Sequence, residues 1–140
     1  SEMCIRDRVA SGGELSRIML AIKTVLAGRD EIDTLIFDEI DTGISGRTAW
    51  KVAEQLSVLS GAHQVICITH LPQIAAMADV HFVIEKSSTD DMTITDIHKV
   101  SAEESLAELA RLLGSDALTE AALSNAKEMK EQAGMFKETR

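Results

Sequence analysis

The stretch Thr34-Leu35-Ile36-Phe37-Asp38-Glu39 is a short apolar run that ends in two adjacent acidic residues. This pattern predicts a buried β-strand that carries two carboxylates at its carboxyl end. Two acids beside a core are unfavourable unless a positive group lies near them, and a magnesium-bound nucleotide is one such group. A solvated strand end with two unpaired acids explains the pattern equally well.

A second apolar strand follows a helix. Apolar residues at 49–59 repeat with helical spacing, and the apolar run at 64–69 ends at His70. Strand-helix-strand units are almost always right-handed crossovers with parallel strands. If the two strands are neighbours, Asp38, Glu39 and His70 meet at the sheet edge where α/β proteins bind ligands. Taken singly, a histidine at a strand end is more often structural than catalytic.

The segment before this unit contains a pair of glycines. Residues 11–14 (SGGE) have the spacing of a capping box, and apolar residues then recur on one helical face: Leu15, Ile18, Met19, Ile22 and Leu26. We expect a helix that packs this face on a core and ends at Gly28. The capping box does not require Gly12 and Gly13. Consecutive glycines at a helix start let the backbone approach an anion such as phosphate closely.

The second half of the chain predicts a hairpin and two helices. These elements are a short helix from about Pro72, a strand at 80–85, a turn at 87–91, an alternating strand at 92–100, a helix capped by residues 101–104 and ending before Gly114, and a last helix at about 117–133. The other histidines, His63, His81 and His98, show no metal-ligand spacing, so the sequence predicts no metal site there.

The composition is typical of one soluble globular domain. The chain has 140 residues, 45% apolar and 26% charged, and no apolar stretch approaches the roughly 18 residues of a membrane helix. The net charge of −9 excludes the basic surface of an autonomous nucleic-acid binder, so any DNA contact is local or made elsewhere. Cys67 lies in an apolar run, which indicates a buried thiol in a reducing compartment. With no visible signal peptide, we expect a cytoplasmic location.

The order of these motifs resembles the carboxyl-terminal half of an ATP-binding-cassette ATPase head. Residues 11–14 match the signature motif, residues 35–39 the Walker B strand, residues 41–45 the D-loop and Thr69-His70 the switch-histidine loop. Transport ATPases usually carry Gln in the signature and Pro after the Asp-Glu pair. This chain has Glu and Ile there, as SMC-like chromosome-maintenance heads do.

Longer strings are similar to a family of bacterial SMC-like DNA repair proteins. These strings are residues 9–17 (VASGGELSR), 37–46 (FDEIDTGISG), 68–75 (ITHLPQIA), 108–114 (ELARLLG) and 121–129 (AALSNAKEM). The resemblance implies an α/β fold of the P-loop NTPase-like ABC/SMC type, with a mostly parallel sheet, flanking helices and a carboxyl-terminal helical pair. Residues 9–140 would form the carboxyl-terminal lobe of the head. Residues 1–8 stay unassigned, with a foreign origin as one explanation.

The resemblance also implies roles for individual residues, with ATP and Mg²⁺ as the cofactors. In it, Asp38 holds Mg²⁺, Glu39 polarises the attacking water and His70 binds the γ-phosphate. Because two heads of this family share each nucleotide, the partner head's signature motif closes the site. The corresponding residues here are Ser11, Gly12, Gly13 and Glu14, and Asp41 of the D-loop couples the two sites.

One motif of the family is absent, because no G-x-x-x-x-G-K-[ST] phosphate-binding loop occurs in the sequence. We therefore expect that the chain alone does not hydrolyse ATP and that the loop belongs to a longer protein. The resemblance implies recombinational repair of DNA double-strand breaks, with a second copy of the head joined through ATP, DNA bound by the longer protein, a nucleoid location and no membrane partner. It leaves open whether a recombinase takes part.

Two other functions remain open from the sequence. The chain could be a head fragment of another SMC-like or cassette ATPase that organises chromosomes or couples transport; heptad arms upstream would favour an SMC-like protein. It could also be a non-catalytic interaction module, against which the presence of Glu39 and His70 argues.

Overall fold

The computed structural model describes residues 11–29, 31–89, 91–114 and 117–140. The predictions for residues 1–10, which include the unassigned start and the beginning of the first family string, lie outside the described residues. Nine elements follow one another in the described part: α1 Gly12–Val25, β1 Thr34–Phe37, α2 Gly46–Leu59, β2 Gln64–Cys67, α3 Pro72–Met77, β3 Phe82–Thr89, β4 Met92–Lys99, α4 Ala102–Leu112 and α5 Glu120–Thr139.

The predicted strand-helix-strand unit is confirmed. β1 and β2 pair in parallel, with Thr34 opposite Gln64 and Phe37 opposite Cys67. Helix α2 connects them and buries the apolar face predicted from its spacing, which includes Val52, Leu56 and Leu59. The two strands therefore end side by side, as the prediction for the sheet edge requires.

The prediction of a mostly parallel sheet is wrong for the described residues. β3 and β4 form a separate antiparallel hairpin with eight residue pairs, against four pairs between β1 and β2. The turn predicted at residues 87–91 is also too wide, because β3 continues to Thr89. Residues 87–91 (SSTDD) are all polar, and polar residues occur in exposed strands as well as in turns, so no local signal marks the end of the strand.

The two helices predicted at the carboxyl end are confirmed as a packed pair. Helix α4 begins at a capping box in which Ser101 and Glu104 exchange hydrogen bonds of 3.2 and 2.7 Å. Helix α5 begins after Thr119, which caps the backbone N–H of Ala122, and continues six residues beyond the predicted end. Helix α3 packs against α2, α4 and α5, so the helices share one core.

That core joins the inner face of the parallel strands to the helices. Its buried side chains include Leu20, Phe37, Ile40, Leu56, Leu59, Ile74 and Leu109. The other face of the strands is open, with Ile36 68% exposed and Ile66 and Ile68 close to half exposed. Within the described ranges, no helix has both the length and the apolar character needed to cross a membrane.

Helix α1 contradicts one expectation. The face predicted to pack on the core is exposed, from Leu15 at 56% to Leu26 at 42%, whereas Leu20 is buried. Helical spacing identifies an apolar face but does not say what covers it. Among the described residues, α1 instead contacts α2 and the turn after β1.

Candidate functional site

The site lies where the two parallel strands end. Directly beyond their last pair, the backbone N–H of Ile68 donates to the carbonyl of Phe37 over 3.0 Å. Asp38 and Glu39 follow β1, while Thr69 and His70 follow β2 by two and three residues. The structure therefore brings the predicted acids and the predicted histidine to the same edge of the sheet.

Asp41 connects the two strand ends. Its carboxylate is buried, with 4% of the residue exposed, and its Oδ2 lies 2.6 Å from the hydroxyl of Thr69. The same oxygen accepts the backbone N–H of His70 over 2.8 Å and lies 2.9 Å from its ring Nδ1. A buried carboxylate is stable only when such donors replace its water, so these contacts account for a buried acid at this position.

The Asp41 contact orients the His70 ring. With Nδ1 donating to Asp41, Nε2 is the ring atom left to meet a ligand, and 72% of the side chain is exposed. Thr69 is held in turn, because its hydroxyl oxygen also accepts the backbone N–H of Leu71 over 3.0 Å. The polar groups at the end of β2 thus form one connected network around Asp41.

Glu39 adopts an unusual backbone conformation. Its φ is +57°, and among the described residues it is the one non-glycine with a positive φ. Two hydrogen bonds support the turn: the carbonyl of Glu39 accepts the N–H of Thr42 over 3.1 Å, and Asp38 Oδ1 accepts the N–H of Glu39 over 2.9 Å. A left-handed conformation is unfavourable for a side chain with a Cβ and persists only where the surroundings enforce it. The exposed carboxylates of Asp38 and Glu39 are held at the tip of this turn.

Helix α1 holds the same turn from the other side. The hydroxyl of Ser16 donates to the carbonyl of Asp38 over 2.8 Å. The guanidinium of Arg17 donates through Nη1 to the carbonyl of Ile40 over 3.1 Å and to that of Thr42 over 2.7 Å. Neither residue can be assigned this role from the sequence, because the backbone carbonyls that accept these hydrogen bonds leave no signal in a sequence.

The glycine pair faces this turn at close range. A Cβ built on Gly12 would overlap Oε2 of Glu39, and one built on Gly13 would lie 2.8 Å from Cβ of Thr42 and 2.9 Å from the carbonyl oxygen of Glu39. Gly13 is buried and Gly12 is exposed. The glycines are therefore explained in this chain by the close approach of α1 to the acidic turn.

Ser11 and Glu14 complete the capping box that the sequence predicts. Glu14 N–H donates to the hydroxyl of Ser11 over 3.2 Å, and Ser11 N–H donates to the carboxylate of Glu14 over the same distance. Both side chains are exposed, so the start of α1 is accessible except at Gly13. The predicted signature residues thus lie beside Glu39 of the same chain, and their role toward a second copy stays a prediction.

The carboxylates give the strand ends a negative potential. Burial raises the pKa of the Cys67 thiol to about 12, and the negative charges of Asp41 and then Asp38 add to this rise because they disfavour the thiolate. The same potential favours a cation at the turn. Carboxylate oxygens are the protein ligands that Mg²⁺ prefers, so the exposed pair Asp38 and Glu39 fits that ion chemically.

Several known proteins to which the chain is similar carry the same name. No protein-family model matches the chain. It is 46% identical over 133 residues to "DNA repair protein RecN" of Bacillus subtilis, an alignment that covers 95% of this chain and 23% of that protein. It is 52% identical over 122 residues to the protein of the same name from Treponema pallidum, covering 87% and 21%. For the Haemophilus influenzae protein of that name the identity is 50% over 122 residues, covering 87% and 22%.

The chain thus matches the carboxyl-terminal part of RecN and spans a little over a fifth of the length of these relatives. The resemblance that the motif strings indicate is confirmed. The individual site roles that it implies are a separate matter, since a match of this kind assigns no residue a function.

Proposed function

We propose, on the premise that this chain is related to the carboxyl-terminal part of RecN, that it is one lobe of an ATPase head in a DNA repair protein. The observation that carries the proposal is the Asp41 network. It joins the end of β1 to the end of β2, so that Asp38, Glu39 and His70 open onto one sheet edge. In α/β folds this edge is where ligands bind.

The proposed roles follow from the chemistry and exposure of each side chain. Asp38 would hold Mg²⁺, the cofactor that accompanies ATP, through its exposed carboxylate. Glu39 would accept a hydrogen bond from the attacking water and polarise it. His70 would donate from Nε2 to the γ-phosphate while Nδ1 stays bound to Asp41. In this chemistry the imidazolium form is the one that donates from both nitrogens.

The lobe requires the rest of the protein. The open face of the parallel strands and the exposed apolar face of α1 are the surfaces that a covering lobe would bury, and the phosphate-binding loop would come with that lobe. The proposed fold is therefore a P-loop NTPase-like head of the ABC/SMC type, completed by a segment outside this chain.

The signature residues raise a conformational point. For Ser11, Gly12, Gly13 and Glu14 to contact ATP bound by a second head, the start of α1 has to meet that nucleotide. The carboxylate of Glu39 lies against one side of the exposed Gly12 in this chain, so we propose that the Glu39 side chain turns away when two heads join. Asp41, anchored between both strands, would transmit this change to His70.

Replacement of Glu39 by Gln in the longer protein that carries this chain tests the proposal. The amide cannot act as a base, so we expect ATP turnover to fall at least about 100-fold while ATP-bound dimers accumulate. Glu103→Gln, an exposed acid on α4, is the matched control and should leave turnover unchanged. Equal turnover in the Glu39 variant and the control would remove Glu39 from this role. The 140-residue chain by itself should show no Glu39-dependent hydrolysis.

DNA repair by the longer protein forms part of the proposal, with the relatives' printed name as its support. The described lobe would not bind DNA by itself, because the chain carries a net charge of −9 and phosphate contacts need basic residues. Contact with DNA in recombinational repair of double-strand breaks, a cytoplasmic location on the nucleoid, and any recombinase partner would belong to the longer protein.

A further inference from the structure

The β3–β4 hairpin gathers three metal-ligating side chains that the proposed function does not use. One carboxylate oxygen each of Glu85 and Asp96 and one ring nitrogen of His98 all lie within 4.8 Å of one another. The sequence alone does not place Glu85 near Asp96 and His98, because ten residues separate Glu85 from Asp96. The cluster is therefore a product of the hairpin register.

The register places all three side chains on one face. Glu85 and Asp96 are directly opposite one another, and Val83 is opposite His98. Successive side chains of a strand point to opposite faces, so Asp96 and His98, two residues apart, share a face with Glu85. A shift of one residue in either strand would separate the three groups.

The two opposite carboxylates are poorly compensated by neighbouring side chains. Like charges directly opposite in a sheet are destabilising. The nearest lysines in sequence are Lys86 and Lys99. Because successive residues of a strand point to opposite faces, both lie on the face of the hairpin opposite to Glu85 and Asp96. Arg111 interacts electrostatically with Glu85, but its guanidinium is hydrogen-bonded to Glu108 over 2.8 and 2.5 Å. A cation between Glu85 and Asp96 would relieve their repulsion.

His98 adds a second observation. Its side chain is 42% exposed, but the ring nitrogen Nδ1 is shielded and has no hydrogen-bond partner among the described residues; it lies 3.4 Å from Oδ2 of Asp96. A shielded nitrogen without a hydrogen bond is unfavourable, and coordination to a metal ion would satisfy it. The nitrogen is aimed at the same carboxylate that faces Glu85.

We propose that Glu85, Asp96 and His98 bind a divalent transition-metal ion of the Zn²⁺ type. One imidazole nitrogen and two carboxylate oxygens suit Zn²⁺ and similar ions, whereas Mg²⁺ and Ca²⁺ prefer oxygen ligands alone. Three protein ligands leave a position for water. The site is independent of the strand-end site, and its occupation holds β3 and β4 in register.

The test is calorimetric titration of the full chain with ZnCl₂, in the presence of excess Mg²⁺. We expect saturable binding of one equivalent, a higher unfolding temperature, and at least about tenfold weaker binding for His98→Ala and for Asp96→Asn. Titration with Co²⁺ should give visible absorption bands in the wild-type chain that both variants lose. Circular dichroism of the metal-free variants verifies that the fold is retained.

Two controls separate this site from other acids. Asp91→Asn removes an exposed carboxylate at the tip of the same hairpin, and Asp38→Asn removes one at the strand-end site. Both should bind Zn²⁺ like the wild-type chain. Zn²⁺ binding by His98→Ala and Asp96→Asn with the affinity of the wild-type chain would overturn the proposal. Loss of Zn²⁺ binding in Asp38→Asn, or the absence of saturable binding to the wild-type chain, would also overturn it.

Discussion

The two sheets of this molecule present polar clusters in opposite ways. The cluster beyond β1 and β2 is built on a buried acid, since Asp41 is 4% exposed and its Oδ2 lies within 2.9 Å of three donor atoms. The cluster on β3 and β4 is exposed at Glu85 and Asp96, and its nearest described contact between members is 3.4 Å. Burial with hydrogen bonds makes the first cluster part of the fold, whereas the second cluster contributes little to the stability of the metal-free chain.

The origin of the two clusters differs as well. Parallel strands that end side by side, as β1 and β2 do here with Phe37 opposite Cys67, bring the residues after them together at one edge of the sheet. An antiparallel pair brings residues together only through its register. Topology therefore produces the strand-end site, and a specific alignment of two strands produces the hairpin cluster.

The largest expected effect separates the clusters by stability. Asp41→Ala removes a buried acceptor shared by Thr69 and His70 and leaves their half-buried donors unpaired, so we expect the free energy of unfolding to fall by about 1–3 kcal/mol. Asp96→Ala on the hairpin should change it by less than about 0.5 kcal/mol in metal-free buffer. Urea denaturation followed by circular dichroism measures both. Equal losses of unfolding free energy in the two variants would show that the two clusters do not differ in their contribution to stability.

The glycine pair tests how tightly α1 is packed on the acidic turn. Gly13→Ala would push its methyl against the Thr42 Cβ and a backbone oxygen, which cannot move cheaply, and should cost about 1–2 kcal/mol. Gly12→Ala meets only the end of the Glu39 side chain, which can rotate, and should stay within about 0.5 kcal/mol of the wild type. The same denaturation experiment compares the two variants. A larger loss for Gly12→Ala would contradict the packing described.

The junction between the hairpin and α4 should respond to pH. Burial, and then the charge of Lys130, lowers the pKa of His81 below its ordinary value of 6.5, and the ring Nδ1 lies 2.8 Å from the hydroxyl of Ser105. The unfolded chain therefore binds a proton more readily than the folded one. The stability that His81 contributes is present above about pH 6.5 and is lost as the pH falls below it.

Urea denaturation between pH 7.5 and 5, at about half-unit steps, measures this dependence. His81→Gln keeps a polar side chain without a titrating group, so its stability should fall less over the same interval. Parallel pH profiles for the variant and the wild-type chain would show that His81 does not carry the dependence.

The smallest effect concerns the hairpin itself. Glu85→Gln removes one of two opposite like charges, so the metal-free variant should be more stable than the wild type by about 0.2–0.5 kcal/mol. Lys86→Gln, on the other face, is the control and should not stabilise the chain. Thermal unfolding in the presence of a chelator resolves a difference of this size. A destabilised Glu85 variant would show that its carboxylate has a structural partner.

The sequence predicted the parallel unit and the residues at its edge because the signals there are local. An apolar run ending in Asp38-Glu39, a helical repeat and a second run ending at His70 suffice once the crossover rule is applied. Both capping boxes were also readable, since Ser and Glu three residues apart act within one helix turn.

The features that the sequence did not predict depend on contacts between residues that are far apart along the chain. The roles of Ser16 and Arg17 rest on backbone carbonyls 22 to 25 residues away. The cluster around His98 required the hairpin register, and the separation of the two sheets required knowledge of which strands pair. The predicted apolar face of α1 was correct as a pattern, but its covering partner is not encoded in the pattern itself.

The attachment of α1 to the acidic turn has a mechanical consequence. Both hydrogen bonds from Arg17 leave from a single nitrogen atom, Nη1, and the hydroxyl of Ser16 can rotate about its C–O bond. Because Gly13 packs against Thr42 and the carbonyl oxygen of Glu39 at the same place, α1 and the turn meet as one unit. A displacement of the helix would have to break these contacts together.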